Sequence, residues 1–429
     1  MSPIIGYAGM THLGLNSVAA SAAHEFEIVG FDPDPDRIAQ LQKGVIHVNE
    51  PGLQDLLTAH GKRLTFSSQV ESLKKCHVVY ISSDVATDNE GQSDLGGIQD
   101  LIATVLPHLS PTAVLVILCQ VPPGFTRNIP FSSDRLFYQV ETLIFGRAVE
   151  RAMSPERYII GCDIPERDIP SSYKTFLEAF HCPILPMQYE SAELAKISIN
   201  CCLVGMISVA NTLAELCEHI GADWQEIVPA LRLDKRIGPH AYISPGLGVA
   251  GGNLERDLAT VCRLAGEHGT EAGVVQAWLD NSRYRKDWVL RILHSYVLGN
   301  TSEMRLGILG LAYKEDTHST KNSPSLALIA CLHDWPIQVY DPVVSSSVLD
   351  HPSVIAAGSI LDAARDVDVL VIMTPWAEFR EVKPVDLRQA MKGRVIVDPF
   401  QVLSGSECTA LGFQYYSLGR PLLDQVANS

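Results

Sequence analysis

The order strand, glycine turn, helix, strand, acidic residue occurs twice in this chain, and it limits the fold more than any other feature. At the start, the apolar run 4–8 leads into Gly9-Met10-Thr11-His12-Leu13-Gly14, a helical stretch 15–23, and a second apolar run 26–31 that ends at Asp32. The order returns at strand 305–309, Gly310-Leu311-Ala312-Tyr313-Lys314, helix 324–333, strand 337–340 and Asp341. Further strands are expected at 77–82, 113–120 and 158–161 around a helix at 94–106, and again at 367–373 and 394–397. Strands that alternate with helices form parallel, doubly wound sheets, because each parallel crossover needs a helix to return the chain. Ligands of such sheets gather at strand C-terminal ends, where Ser82, Ser83, Gln120 and Glu141 fall.

The first turn follows a dinucleotide-binding pattern with one change. Gly9 and Gly14 hold the outer glycine places, and Thr11 fills the middle one, where a missing side chain normally lets backbone approach a pyrophosphate. The Thr11 hydroxyl either bonds a phosphate or pushes the cofactor away. His12 and Leu13 complete the turn. Asp32 accepts from a ribose 2′-OH and repels a 2′-phosphate, which favours NAD over NADP.

Between the halves lies the stretch 189–221, free of proline, with an apolar stripe through Leu194, Ile197, Cys201, Val204, Ile207 and Leu213, and it is read as one long helix. Lys196 and Asn200 are one turn apart on it. A cation and an amide displayed together suit an anionic or hydroxyl-bearing ligand, although Lys196 can equally snorkel from a buried face. A further helix is expected at 222–231. The segment 244–257, SPGLGVAGGNLERD, is glycine-dense and opens a helix; it either brings amides to a ligand or is a flexible surface loop. With a linker at 298–303, three domains are expected: 1–188 binding NAD, a helical 189–297 for dimerisation and substrate, and 298–429 binding a nucleotide sugar. The fold class is α/β, two Rossmann-like sheets joined by the long helix.

The formal charge of −16 excludes a phosphate-backbone binder, so no nucleic acid is expected. The ten cysteines form no CxxC or His-spaced cluster, so free thiols and no metal site are expected. The start lacks the pattern of a secretory leader, and no run of about 18 apolar residues is read, so a soluble cytoplasmic protein with no membrane partner is expected.

Together these segments resemble the nucleotide-sugar 6-dehydrogenase family of UDP-glucose and GDP-mannose dehydrogenases. The likeness covers nearly the whole chain. It rests on GMTHLG with Asp32, Glu50-Pro51-Gly52-Leu53, Val121-Pro122-Pro123-Gly124, Glu141 to Gly146, Glu193 to Lys196 with Asn200, Asp234 to Gly238, the loop ending at Asp257, Gly310 to Lys314, Tyr340-Asp341-Pro342 and Thr374 to Phe379. The resemblance implies oxidation of a sugar alcohol by NAD. It implies that Lys196 and Asp257 organise proton transfer, Asn200 holds substrate, Glu141 acts as base or water positioner, Lys314 meets the diphosphate or sugar, and Arg236 reaches substrate across a homodimer interface on the long helix. Gly252 joins the substrate loop, and Ser83, Gln120 and Lys321 the cofactor side.

Against the family pattern, Asn253 stands at the place of the nucleophilic cysteine, and an amide cannot form a thioester. Arg256 takes the place of a lysine, Gln120 of a threonine, and Lys321 and Phe400 of arginines; Cys119 is a candidate substitute thiol. The expected activity is NAD-dependent oxidation of a nucleotide sugar, UDP-linked, stopping after one two-electron step. The alternatives are a four-electron dehydrogenase without a covalent intermediate, and a non-catalytic protein that binds nucleotide sugar or NAD.

Overall fold

The computed structural model describes residues 2–87, 93–297 and 304–421. The expected linker 298–303 lies outside the described residues. The chain divides into two compact units, Met1–Ile199 and Asn200–Ser429.

The first unit is built on an eight-stranded sheet: β1 (Ile4–Ala8), β2 (Glu27–Phe31), β3 (Leu64–Ser67), β4 (Val78–Ile81), β5 (Val114–Ile117), β6 (Leu136–Gln139), β7 (Tyr158–Cys162) and β8 (Ile184–Gln188). Their spatial order is β8-β7-β6-β5-β4-β1-β2-β3. The central strands β4 and β5 are VVYI and VLVI, buried along their whole length, as strands covered by helices on both faces must be. All neighbours pair in parallel except β6 and β7, which run antiparallel with Tyr138 opposite Gly161. The expectation of a fully parallel sheet is corrected at that pair. Helix α1 (His12–Ala23) crosses from β1 to β2, and α2 (Gly96–Val105) from β4 to β5. Nine of the twelve α1 residues are buried, among them Gly14, Ala19, Ala20 and Ala22, small enough for the helix to lie close on its neighbours.

Helix α3 (Tyr189–Ile220) spans 32 residues and carries the boundary between the units inside it. Its expected apolar stripe holds in part. Ile197 and Val204 are buried, whereas Leu194 and Leu213 are exposed at 45% and 41%. Its mean hydropathy reaches 1.7 over an 18-residue window, so by length and composition it could cross a membrane, a test that core helices of soluble proteins also pass.

The second unit holds helices α4 (Trp224–Leu233), α5 (Asn253–His268) and α6 (Gly273–Lys286), then a six-stranded parallel sheet. Its strands are β9 (Leu306–Leu309), β10 (Ile337–Tyr340), β11 (Val354–Ala356), β12 (Val369–Ile372), β13 (Val395–Val397) and β14 (Gln414–Tyr416), in the order β11-β10-β9-β12-β13-β14. Helix α7 (Pro324–Cys331) starts with Pro324, whose missing N–H is unneeded there, and the Ser323 hydroxyl caps it by accepting from Ser325 N at 3.2 Å.

Candidate active site

In the first unit the candidate residues stand at the C-terminal ends of β1, β2, β4, β5 and β6. Gly9 has φ +100°, and a Cβ there would lie 2.8 Å from the Ser83 amide nitrogen. A Cβ on Gly14 would lie 1.9 Å from the Gly9 carbonyl, so α1 meets the turn backbone to backbone. Leu13 is buried in the core beneath, which leaves only its backbone to a ligand. Thr11 precedes α1; its hydroxyl accepts from Asp84 N at 2.9 Å and donates to Ser82 O at 3.5 Å. The first α1 amide, His12 N, donates to Asp84 Oδ2 at 3.0 Å. The His12 ring rests on Phe145 at 4.2 Å, and its Nε2 meets Glu50 Oε2 at 2.9 Å. Buried Glu50 also accepts from Gly146 N at 3.1 Å and Ala148 N at 2.7 Å, which ties the cofactor turn to the loop after Glu141.

Asp32 ends β2 but is enclosed. Its Oδ2 accepts from Met10 N at 2.7 Å and from Arg37 at 2.8 Å, and its Oδ1 from Asp34 N at 3.0 Å. Both oxygens thus hold protein donors at the place where a ribose hydroxyl is expected. The glycine approaches and the α1 amides fit a dinucleotide, with Asp84 on one of the amides. Ser83 lines the same turn, and Gln120 lies beyond β5 with a polar partner of its own.

Glu141 follows β6 and accepts from Leu143 N. Burial pushes its carboxyl above the ordinary glutamate value, Lys196 and His12 pull it down, and Asp84 pushes it up. A carboxyl raised by burial with an ammonium acting on it has the electrostatics that suit proton exchange. One turn before Lys196, fully buried Glu193 accepts from Gly124 N at 2.6 Å and Thr126 N at 2.9 Å, fixing the proline-rich turn after Gln120 on α3.

In the second unit Asn200 donates through Nδ2 to Asp257 Oδ2 at 2.5 Å, both side chains buried. Arg256 Nε lies 3.7 Å from Asp257 Oδ1, so the carboxylate has a cation as well as an amide. Asn253 is the first residue of α5, exposed and one turn before Asp257. Gly251, at φ +79°, and Gly252 lie against the loop after Gly310: Gly251 N donates to Lys321 O at 3.0 Å, and Asn322 donates to Gly251 O at 3.0 Å. That loop carries Lys314, 5.9 Å from the Tyr313 ring, and half-buried Lys321. Arg236 is not gathered into this group; it pairs with Asp234 at 2.6 Å on the surface.

A cavity of about 640 Å³ lies among Trp224, Val228, Ile243, Pro375, Phe400 and Arg380. Phe400 follows Asp398, which is buried and held by Phe400 N, Leu403 N and the Tyr415 hydroxyl.

Cys119, the candidate substitute thiol, is not placed to act as one. It is fully buried and donates to Ile81 O at 3.2 Å, and burial pushes its pKa far up. Cys201, beside Asn200, is pushed up to about 11, so neither is a thiolate near neutral pH.

Sequence reasoning passed over Asp84 and the anchoring roles of Glu50 and Glu193. For Asp84 the signal was available, an acid just beyond a strand end beside a glycine turn.

Three profiles of the UDP-glucose/GDP-mannose dehydrogenase family match: its NAD binding domain over residues 4–176, its central domain over 190–283 and its UDP binding domain over 307–405. The chain is 29% identical to the UDP-glucose 6-dehydrogenase TuaD of Bacillus subtilis (strain 168), over 97% of this chain and 93% of the relative. It resembles in fold a UDP-glucose dehydrogenase from Pyrobaculum islandicum (TM-score 0.86, 24% identity, 98% of each chain). A similar fold is seen in the UDP-N-acetyl-mannosamine dehydrogenase Cap5O from Staphylococcus aureus (TM-score 0.78, 21% identity, 97% of this chain and 99% of that one).

Proposed function

This chain belongs to the UDP-glucose/GDP-mannose dehydrogenase family and uses NAD, and on that premise we propose that it oxidises one alcohol of a UDP-linked sugar in a single two-electron step. The observation that carries the reading is Asn253 at the start of α5, one turn from Asp257, with no primed thiol at Cys119 or Cys201. NAD, when bound, accepts the hydride; the rest falls to the chain. Asn200 has its Nδ2 committed to Asp257, so its Oδ1 is presented to a sugar hydroxyl. Lys196 stabilises negative charge developing on the reacting oxygen, and Glu141, whose pKa burial raises, takes up in its ionised form the proton that leaves it. Without a thiolate the product leaves as an aldehyde or ketone.

Lys314 and the cavity beside Phe400 are proposed as the nucleotide seat, which the match to a UDP binding domain over these residues supports. The three-domain division at 1–188, 189–297 and 298–429 is supported by one matched stretch in each. A homodimer through α3 is supported by Val209, Leu213, Leu216 and Ile220, which share one exposed helix face at spacings of four, three and four. Arg236 is then free to reach a partner's site. The proposed compartment is the cytoplasm.

The test is to count NADH per sugar consumed and to identify the product by mass. One NADH with an aldehyde or ketone supports the reading, and two with an acid overturn it in favour of the four-electron alternative. No NADH would favour a binding protein, a second reading that Asp84 on the first α1 amide supports.

A further inference from the structure

We infer that Asp84, latched by Thr11, is an affinity-setting residue of the NAD site: its carboxylate holds the α1 amide that a dinucleotide phosphate takes, so NAD binds by displacing it. Two independent contacts make the latch. The Thr11 hydroxyl accepts from the Asp84 backbone at 2.9 Å, so the side chain in the middle glycine place is spent on the protein. The Asp84 carboxylate then accepts from His12 N at 3.0 Å, at the end of α1 where the helix concentrates its positive partial charge. Asp84 therefore does for the turn what a bound anion would do. It satisfies an otherwise unpaired amide and complements the dipole.

The charges about this point are Glu50 on the His12 ring, Glu141 beyond it with Lys196, and Asp84 itself. Around the short helix Ala148–Met153, Arg147, which precedes it, pairs with Glu150, and Arg151 pairs with Glu156, so those cations are already engaged. A pyrophosphate arriving here meets a carboxylate of its own sign on the amide it needs. Moving Asp84 aside removes both the competitor and the repulsion.

The inference separates two quantities that usually fall together. In Asp84→Asn the empty protein loses a charged cap while the NAD complex loses a repulsive neighbour. Calorimetric titration of the full chain with NAD⁺ is expected to show a dissociation constant lowered about tenfold, the order of one like-charge contact screened by bulk water. The unfolding temperature without NAD is expected to fall, and its rise on saturating NAD to grow. Thr11→Gly releases the latch by a different route and is expected to tighten binding in the same direction. Unchanged or weaker binding in both variants overturns the inference, as does tighter binding in which the NAD-free protein melts no earlier. The inference rests on NAD taking the α1 turn, and Gly9→Val tests that separately: if Gly9→Val abolishes binding while Asp84→Asn leaves it unaltered, the turn is the site and the latch is wrong.

Discussion

The two glycine turns are built on one scaffold and end in different devices. In the first, Gly9 at φ +100° donates to Phe31 O at 2.8 Å, and Asp32 accepts from Met10 N. In the second, Gly310 at φ +96° donates to Tyr340 O at 2.8 Å, and Asp341 accepts from Leu311 N at 2.6 Å and Ala312 N at 3.0 Å. Each glycine would drive a Cβ into the strand beside it, into Ser83 or into Thr374. Beyond that point they diverge. The first chain enters α1 two residues after Met10, and Gly14 brings the helix onto Gly9 O. The second runs through a loop carrying Lys314 and Lys321 before α7, where the Ser325 hydroxyl donates to Gly310 O at 2.6 Å in place of a glycine contact. A helix end at the turn offers amides to a phosphate; a loop there offers lysine charge instead. Whether the residue that meets the turn is glycine or serine thus separates two lobes that share the order of their first six strands.

The largest effect is expected where that difference is sharpest. Gly14→Val puts a Cβ 1.9 Å from Gly9 O, which no rotamer relieves, so it should cost about 4 kcal/mol or more and abolish NAD binding. Ser325→Val, at the equivalent approach, should leave NAD affinity intact; urea melts and titrations of both variants check the contrast. Next comes the acid of each turn. Asp341 takes five donors, the amides of Leu311, Ala312, Val343 and Val344 and the Trp376 indole, so Asp341→Ala should cost about 3 kcal/mol. Asp32→Ala loses two amides and Arg37 and should cost less, about 2 kcal/mol. Equal losses would mean that the number of donors held does not separate the two acids.

The first lobe also has a titrating neighbour, Glu141. Its raised carboxyl is a base only above its own pKa, so the acid limb of kcat/KM should lie above the ordinary glutamate range, and Glu141→Gln should abolish that limb while lowering kcat about 100-fold. The stability effect has the opposite sign. Burial disfavours the ionised form, so the neutral form's contribution is full below the unfolded-state pKa and is lost as pH rises through the raised value. Glu141→Gln should therefore melt higher than the parent near neutral pH and at the same temperature in acid. A parent more stable than the variant at neutral pH would contradict the placement of Glu141.

Much of the fold was legible because short, nearly continuous apolar runs mark buried strands, as in β4, β5, β9 and β12. Direction was not. YIIGC reads the same to a partner on either side, so the antiparallel β6–β7 pair is invisible in sequence. The edge strand β8, ILPMQ, was missed because Pro186 and exposure on both faces erase the pattern, and an edge tolerates both. The start of α1 was placed three residues late, since Asp84, 72 positions away, is what holds His12 N. Asn200 and Asp257 were both named from sequence, and their short contact joins residues whose spacing gives no hint of it.

The smallest expected effect refines the second turn. Ser323 ends the lysine loop twice over: its hydroxyl caps α7 through Ser325 N and donates to Leu311 O at 2.8 Å. A lost cap costs about 1 kcal/mol, and because Pro324 already presets the first turn of α7, Ser323→Ala should leave that helix formed. What changes is the anchoring of the loop to Leu311. If the loop is the device that distinguishes this lobe, UDP affinity measured by titration should fall about threefold, a change that a loss of about 1 kcal/mol of stability does not itself cause in a protein that stays folded, with NAD affinity unmoved. Thr11, whose hydroxyl anchors the first turn, gives the control: Thr11→Gly should leave UDP affinity at the parent value. A Ser323→Ala protein that binds UDP as the parent does would assign the lysines to structure rather than to the ligand, and the two turns would then differ in shape alone.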